Sequence, residues 1–318
     1  MISPAYIPSP SNNGFYIGPL FVHAYGLAYV LAVAAAIFVT RWRWRRVGGD
    51  PDICYEAAAW GFPAGLIGGR IYFLITTPSQ IPPHWWGPFA IWKGGLGIWG
   101  GILCGVLGGL YIVRKRLTRG DVLRFMDAAA PGLLVAQAIG RIGNYFNQEL
   151  FGKPTTLPWG LKISPDHRPP GFATHVAFQP TFLYEIIWNL GLAGFLIWLG
   201  NHRRIKPPGL LALYVAGYSG FRMFEENLRI DYSVHVLGMR LNFWIALLVC
   251  LAGLAWFVWL QRNGTTEPLP LDGPKTDARQ FVRAGKPAGP YRKPPAPTYG
   301  KSGARPAPRS GGSGSRRR

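Results

Sequence analysis

Arginine, amide and carboxylate side chains cluster in a chain that is otherwise poor in charge. The stretch "GRIGNYFNQELFG", residues 140–152, carries Arg141, then Asn144 three positions on, then Glu149. The stretch "YSGFRMFEENLR", residues 218–229, carries Tyr218, then Arg222 four positions on, then Glu226 four beyond that. On a helix, residues three or four apart share a face, so Arg141 groups with Asn144, and Tyr218 with Arg222 and Glu226. "GGRIY" adds Arg70, and "VHAYGL" adds His23 and Tyr25. A guanidinium is a planar fork that can bond two oxygens of a phosphate at once. Arginines in such company fit an anionic ligand. The competing reading is an internal ion-pair network, for which Glu149, Glu185 and Glu226 are available.

The rest of the sequence says where this chemistry takes place. Of 318 residues, 49% are hydrophobic and 15% are charged, against about 25% charged in an average soluble domain. This is the balance of an integral membrane protein. The net charge of +20 would suggest nucleic acid in a soluble protein. Here the basic residues gather in loops and a tail, so no nucleic-acid partner is expected. Cys54, Cys104 and Cys250 share no CxxC spacing and read as small buried hydrophobes, neither a disulfide framework nor a zinc site. No carboxylate pair or His/Cys cluster has metal-ligand spacing, so neither metal nor cofactor is expected. The first fourteen residues hold no lysine or arginine, so the basic start of a cleavable signal is missing and none is expected.

A helix needs about 20 apolar residues to cross the hydrocarbon core. Seven runs meet this need, at 17–40, 53–76, 94–113, 125–146, 179–199, 208–226 and 237–260. The basic clusters fall on alternate sides: "RWRWRR" at 41–46, "RKRLTR" at 114–119, "HRRIK" at 202–206, and Arg262 with the tail. The positive-inside rule then puts the N-terminus outside and the C-terminus in the cytoplasm. The expected fold is an all-α integral membrane protein with seven transmembrane helices. Residues 1–264 form the membrane domain. Residues 265–318 form a Pro/Gly/Arg-rich cytoplasmic tail, with thirteen Lys/Arg against three acids from 262 onward. Such a composition cannot bury a core and is expected to be disordered.

This topology sharpens the question the arginines raise. Arg70, Arg141 and Arg222 all fall late in spans that run outward, with Arg229 just beyond. The positive-inside bias cannot account for them there. An arginine at mid-membrane costs about 2.5–3.5 kcal/mol on translocation scales, so three need a common return. Two glycine rows, Gly61/Gly65/Gly69 and Gly97/Gly101/Gly105/Gly109, lie on the second and third spans. They allow close helix packing, or leave room for a lipid tail or peptide.

These motifs also carry a family resemblance. "GRIGNYFNQELFG" closely resembles the signature of the bacterial prolipoprotein diacylglyceryl transferases, at Gly140, Arg141, Gly143, Asn144, Asn147, Glu149 and Gly152. "HAYG" (23–26), "GGR" (68–70), "GGLGIWGG" (94–101), "QPTFLYE" (179–185) and "YSGFRMFEENLR" are similar to further family motifs, in the family's order. The resemblance covers about residues 15 to 260 and leaves out the tail. It implies transfer of the diacylglyceryl group of phosphatidylglycerol to the lipobox cysteine thiol of a prolipoprotein. A thioether forms and glycerol phosphate leaves, as the first step of lipoprotein maturation in the bacterial plasma (inner) membrane. It implies as partners phosphatidylglycerol, the prolipoprotein signal peptide and the bilayer itself. Arg141, Arg222 and Tyr25 are then the expected catalytic residues. Arg141, Asn144, Glu149, Gly152, Tyr218, Glu226, Arg70 and His23 are the expected substrate-binding ones.

Two positions depart from the family pattern. Trp99 stands where the family often has a histidine proposed as base, and Gln179 replaces another histidine. The base therefore has no assignment from sequence, with His23, Glu149 and bulk water as the candidates. A multi-span transporter for an anionic solute is the alternative function, since it too would place arginines within a bundle.

Overall fold

The computed structural model describes residues 6–90, 94–231 and 233–268, apart from the side chains of Leu20 and Ile98. Seven long helices carry the described chain: α1 (Ala24–Arg46), α2 (Asp52–Thr76), α3 (Ile98–Arg116), α4 (Arg119–Asn147), α5 (Thr181–His202), α6 (Gly209–Leu228) and α7 (Leu241–Asn263). All seven expected spans correspond to helices. Five of them, α1, α2, α4, α5 and α7, are long and apolar enough to cross a membrane. α3 has 19 residues and ends on Arg114, Lys115 and Arg116. α6 carries Arg222, Glu225 and Glu226 in its last turns. These charges are what lower the apolar character of the two shorter helices. Large apolar side chains on the helices face outward, among them Val30, Phe38, Ile67, Leu103 and Leu248. Outward apolar faces suit hydrocarbon rather than water, and the chain is a multi-pass membrane protein. The expected tail lies outside the described residues from 269 onward.

Three helix starts differ from the sequence expectation. The first run was expected to span from 17, but α1 begins at Ala24 because residues before it form a hairpin. β1 (Gly14–Ile17) and β2 (Leu20–His23) pair antiparallel, with Gly14 opposite His23. Gly18, at φ +58°, makes the turn. Short apolar runs do not distinguish strand from helix by composition, and the Gly-Pro turn decides it here. The third run was expected from 94, but Gly94 and Gly95 adopt φ of +85° and +79°, so α3 starts at Ile98. The last run was expected from 237, yet β5 (His235–Val236) and β6 (Met239–Arg240) form a hairpin ahead of α7. A further pair, β3 (Leu161–Lys162) and β4 (Ala177–Phe178), lies in the long connection between α4 and α5. An all-α description thus holds for the bundle and not for these connections.

Packing is pairwise around a central helix. α2 lies along α3, α1 along α4, and α6 along α7, while α4 also meets α5 and α6. The glycine rows face each other across α2 and α3. A Cβ added at Gly61 would sit 3.1 Å from the Gly105 carbonyl oxygen, and one at Gly65 would sit 3.2 Å from that of Gly101. At Gly68 the added atom would sit 2.3 Å from Cys104 Cβ. The rows therefore serve close helix packing, and backbone rather than ligand fills the space between them.

Both ends of α4 have a local cause. Thr118 caps α4, accepting from the Asp121 amide at 3.3 Å. At its other end Gln148 takes the left-handed conformation, at φ +50°, and stops the helix. Leu150 does the same at φ +58°. Two such residues flanking Glu149 turn that carboxylate back toward α4. Gln148 fixes the turn: its amide donates to the Pro10 carbonyl at 2.9 Å, and its oxygen accepts from the Ser164 amide at 2.8 Å.

Candidate active site

Arg141 and Arg222 arrive from different helices and meet at one oxygen atom. Arg141 Nη2 lies 2.6 Å from Glu185 Oε2, and Arg222 Nη1 lies 3.8 Å from the same oxygen. Glu185 comes from the first turns of α5 and also accepts from the Tyr218 hydroxyl at 3.2 Å. Arg222 is held further by its own helix. Its Nη1 is 2.5 Å from Glu225 Oε2, and its Nη2 contacts Glu226 Oε1. These are i,i+3 and i,i+4 pairs, the spacing at which helical side chains touch.

A second line of contacts leaves Arg141 along α4. Arg141 Nη1 donates to Asn144 Oδ1 at 3.2 Å, and Asn144 Nδ2 donates to Glu149 Oε1 at 2.7 Å. Tyr25, at the start of α1, lies with its ring on Gly143, where an added Cβ would fall 2.3 Å from Tyr25 Cδ2. Both Arg141 and Glu149 are within electrostatic range of its hydroxyl. Gly143 thus lets α1 approach α4 beside the arginine.

A third line supports Glu226 from outside α6. Arg240 Nε lies 2.8 Å from Glu226 Oε2, and Arg240 Nη2 lies 3.0 Å from Asp231 Oδ2. Asp231 also takes Arg229 Nε at 2.7 Å. Burial pushes the Asp231 carboxyl up. The hydrogen bond and charge of Arg229, with those of Arg240, outweigh this and hold it below the ordinary carboxylate value. A depressed carboxylate stabilises the fold fully above its unfolded value, about 3.9, and loses that contribution as pH falls through the folded one. Acidification through this range is therefore expected to lower the melting temperature of the parent. Asp231→Asn should show a flatter dependence over the same range, and melting curves across a pH series check it.

Exposure separates the two kinds of charge. The side chains of Glu185, Glu225 and Glu226 are 1–2% exposed, whereas those of Arg141 and Arg222 are 18% and 19% exposed. The carboxylates form a buried floor and the guanidiniums its open rim. An approaching anion meets the donors first.

Not every expected site residue joins this cluster. Arg70 is buried on α2 and its described hydrogen bonds all go to loop carbonyls. It donates to Gly87 and Pro88 at 2.7 Å, to Gly94 at 2.8 Å and to Gly95 at 2.9 Å. Its return for entering the bilayer is the pinning of that loop, which corrects its expected place beside a phosphate. Hydrogen bonds to a charged group contribute about 1.5–3 kcal/mol each. Arg70→Ala is therefore expected to speed proteolysis within 77–97 while lipid binding is kept, as limited digestion and a lipid-binding assay would read.

His23 ends β2 with an exposed side chain, edge-on to Phe21 at 4.8 Å. Its described contacts do not reach either arginine. Gly152 is a packing junction. Its amide donates to the Gln179 carbonyl at 2.9 Å, and an added Cβ would fall 2.8 Å from Gln179 Cβ and 3.0 Å from the Leu228 oxygen. Trp99 is 61% exposed on the outer side of α3.

Three members of the cluster escaped the sequence reading as site residues: Glu185, Glu225 and Arg240. Glu185 closes the "QPTFLYE" motif but sits far from both arginines in sequence. Glu225 lies three positions after Arg222, the same helical spacing that grouped Arg141 with Asn144. Arg240 opens the last apolar run at the end that the expected topology places outside, so the positive-inside bias would not account for it, as it would not for Arg141.

Comparison with known proteins bears on the family of the chain. The family model described as prolipoprotein diacylglyceryl transferase matches residues 13–259. That stretch includes all seven helices up to the last turn of α7. A protein of Bifidobacterium adolescentis named phosphatidylglycerol–prolipoprotein diacylglyceryl transferase is 42% identical over 280 residues, covering 83% of each chain. A protein of Frankia alni with the same name is 45% identical over 262 residues, covering 81% of this chain and 68% of its own. In Streptomyces coelicolor the enzyme numbered 2 under that name is 42% identical over 257 residues, covering 80% of each chain. With a family model over residues 13–259 and these relatives 42–45% identical over four fifths or more of this chain, the chain belongs to the prolipoprotein diacylglyceryl transferase family.

Proposed function

We propose that this chain transfers the diacylglyceryl group of phosphatidylglycerol to the lipobox cysteine of prolipoproteins, in the bacterial plasma membrane. The observation that carries the reading is the meeting of Arg141 and Arg222 at Glu185 Oε2, with both guanidiniums more exposed than the carboxylates beneath them. All seven helices would span the bilayer, with the N-terminus outside and the basic clusters in the cytoplasm. The arginine rim would then face the outer leaflet, where headgroups and exported peptides are available.

In this reading the thiol sulfur attacks the glycerol carbon that bears the phosphate. The carbon–oxygen bond breaks, and its electron pair stays with the phosphate oxygen. A free thiol, with a pKa of about 8.5, is only a few per cent thiolate at neutral pH. Negative charge grows on the phosphate as the bond breaks, so donors aimed there bind the transition state more tightly than the ground state. Arg141 and Arg222 are those donors. Glu185 and Glu226 fix their orientation, and Arg240 holds Glu226 in turn. The Asn144–Glu149 pair and the hydroxyls of Tyr25 and Tyr218 border the same space and suit the glycerol head. A solute transporter finds no support in the relatives, whose names are those of a transferase.

The test is reconstitution of the full chain with phosphatidylglycerol and a synthetic lipobox peptide, followed by mass spectrometry. A mass gain of one diacylglyceryl group on the cysteine supports the reading. An unmodified peptide in the presence of folded protein rejects it.

A further inference from the structure

Beneath the arginine pair lies a second polar layer that the chemistry above does not use. In the upper layer Arg141 meets Glu185 at 2.6 Å, and the Tyr218 hydroxyl donates to Glu185 at 3.2 Å. One helical turn from each of these residues, toward the middle of its helix, come Gln137 on α4, Asn189 on α5 and Tyr214 on α6. Another turn along, the same three helices close on an apolar cluster that includes Leu134, Ala193 and Leu210. Gln137, Asn189 and Tyr214 therefore occupy one level, between a charged layer and an apolar one. Two contacts hold it together. Gln137 Nε2 donates to the Tyr214 hydroxyl at 3.0 Å, and the Tyr214 ring stacks on Tyr218 with centroids 6.2 Å apart. Thr181, Glu185, Asn189 and Ala193, spaced by four, make the buried stripe of α5, so Asn189 faces the same helices as Glu185.

This level holds more hydrogen-bonding capacity than the protein uses. Asn189 is 0% exposed, yet neither its Oδ1 nor its Nδ2 has a hydrogen-bond partner among the described residues, and nor does Gln137 Oε1. Unpaired buried polar groups are costly, and native proteins keep few of them. Three at one level point to polar groups supplied from outside the chain. The level is also within reach of a ligand. Gln137 and Tyr214 are only partly buried. On the Gln137 side of α4, Leu133 is 40% exposed, and a Cβ added at Gly140 would meet no atom within 4 Å. Leu133, Gln137 and Gly140 follow at spacings of four and three, so an open strip of α4 runs from beside Arg141 past Gln137.

Depth selects the group. In a glycerophospholipid the acyl ester carbonyls lie a few bonds from phosphorus, on the side of the hydrocarbon chains. A phosphate held by Arg141 and Arg222 sets a carbonyl about one helical turn deeper, or about 5.4 Å. Resting on the transferase reading above, we infer that Gln137, Asn189 and Tyr214 form an ester subsite for the diacylglycerol part of the donor lipid. Asn189 Nδ2 donates to an ester carbonyl. The two unpaired oxygens, Asn189 Oδ1 and Gln137 Oε1, take the two protons of one bridging water, because an ester only accepts. Tyr214 orients the Gln137 amide from below Tyr218. The phosphate and the ester are thus read by successive turns of the same three helices, which fixes the glycerol carbon between them for attack by sulfur.

The test uses two donor lipids of equal chain length, diester and diether phosphatidylglycerol, of which the diether lacks both carbonyls. The full chain in detergent is titrated with each and read by native mass spectrometry, and thioether formation on a lipobox peptide is followed in parallel. The parent is expected to bind the diether about tenfold more weakly, the size of one hydrogen bond to a buried group. Asn189→Leu, close in volume, should weaken diester binding to the diether level and leave diether binding as it was, so that the preference disappears. A purely structural role would weaken both lipids alike. A parent without preference overturns the inference. So does an Asn189→Leu variant that keeps the parent's preference, which would leave the layer holding water only. Should Asn189→Leu fail to fold, the parent's own preference decides. An active parent that treats the two lipids alike refutes the subsite and not the transferase reading. A parent that forms no thioether, yet prefers the diester until Asn189 is replaced, refutes the transferase reading and keeps the subsite.

Discussion

Arg141→Ala and Arg222→Ala are each expected to slow thioether formation by about 10²–10³-fold, the usual cost of removing one donor from a site of developing charge. The geometry says why neither can stand in for the other. Arg141 reaches the cluster from α4 and is anchored to Glu185 and Asn144. Arg222 reaches it from α6 and is anchored to Glu225 and Glu226. Removing either would leave one guanidinium for the phosphate that the proposed function assigns to both. Lysine should restore little at either position, because a point charge cannot hold two carboxylate oxygens and a phosphate together. Single-turnover rates on folded variants, with melting in detergent as the control, give the measurement.

Glu185→Ala is expected to have the largest effect on stability. Its carboxylate is 1% exposed and touches Arg141, Arg222 and the Tyr218 hydroxyl. Breaking a buried ion pair from one side costs about 3–5 kcal/mol, because the charge left behind has no compensation. Here two guanidiniums lose a partner, so the variant should sit at the upper end of that range or fail to accumulate. Glu185→Gln keeps the shape and a hydrogen-bond acceptor and should lose less. Denaturation of the two variants side by side in one detergent separates loss of charge from loss of packing. Similar stability for the parent and Glu185→Ala would contradict the view that this carboxylate organises the cluster.

The sequence carried contacts within single helices better than contacts between helices. Arg141 and Arg222 stood out because membrane cost and charge bias are local properties, readable from each span alone. Asn144 and Glu226 followed from helical spacing, and the structure joins both to their expected arginines. Glu185 was recognisable only as the end of a motif, since its meeting with Arg141 depends on how α4 and α5 pack. Arg70 shows the same limit from the other side. Its place late in a span was read from sequence, but the partners that offset its charge are carbonyls of a loop in which Gly94 and Gly95 take positive φ. The two hairpins beside α1 and α7 were hidden in apolar runs, where strand and helix have the same composition. The basic residues after 268 lie outside the described structure.

The central claim is that Arg141 and Arg222 hold a single lipid phosphate between them. A cryo-EM structure of the full chain in nanodiscs made with phosphatidylglycerol tests it most directly. The account predicts a headgroup phosphate within hydrogen-bonding distance of both guanidiniums, above the Glu185 carboxylate. A headgroup bound to only one of them, or seated elsewhere while both arginines stay turned to their carboxylates, would contradict it.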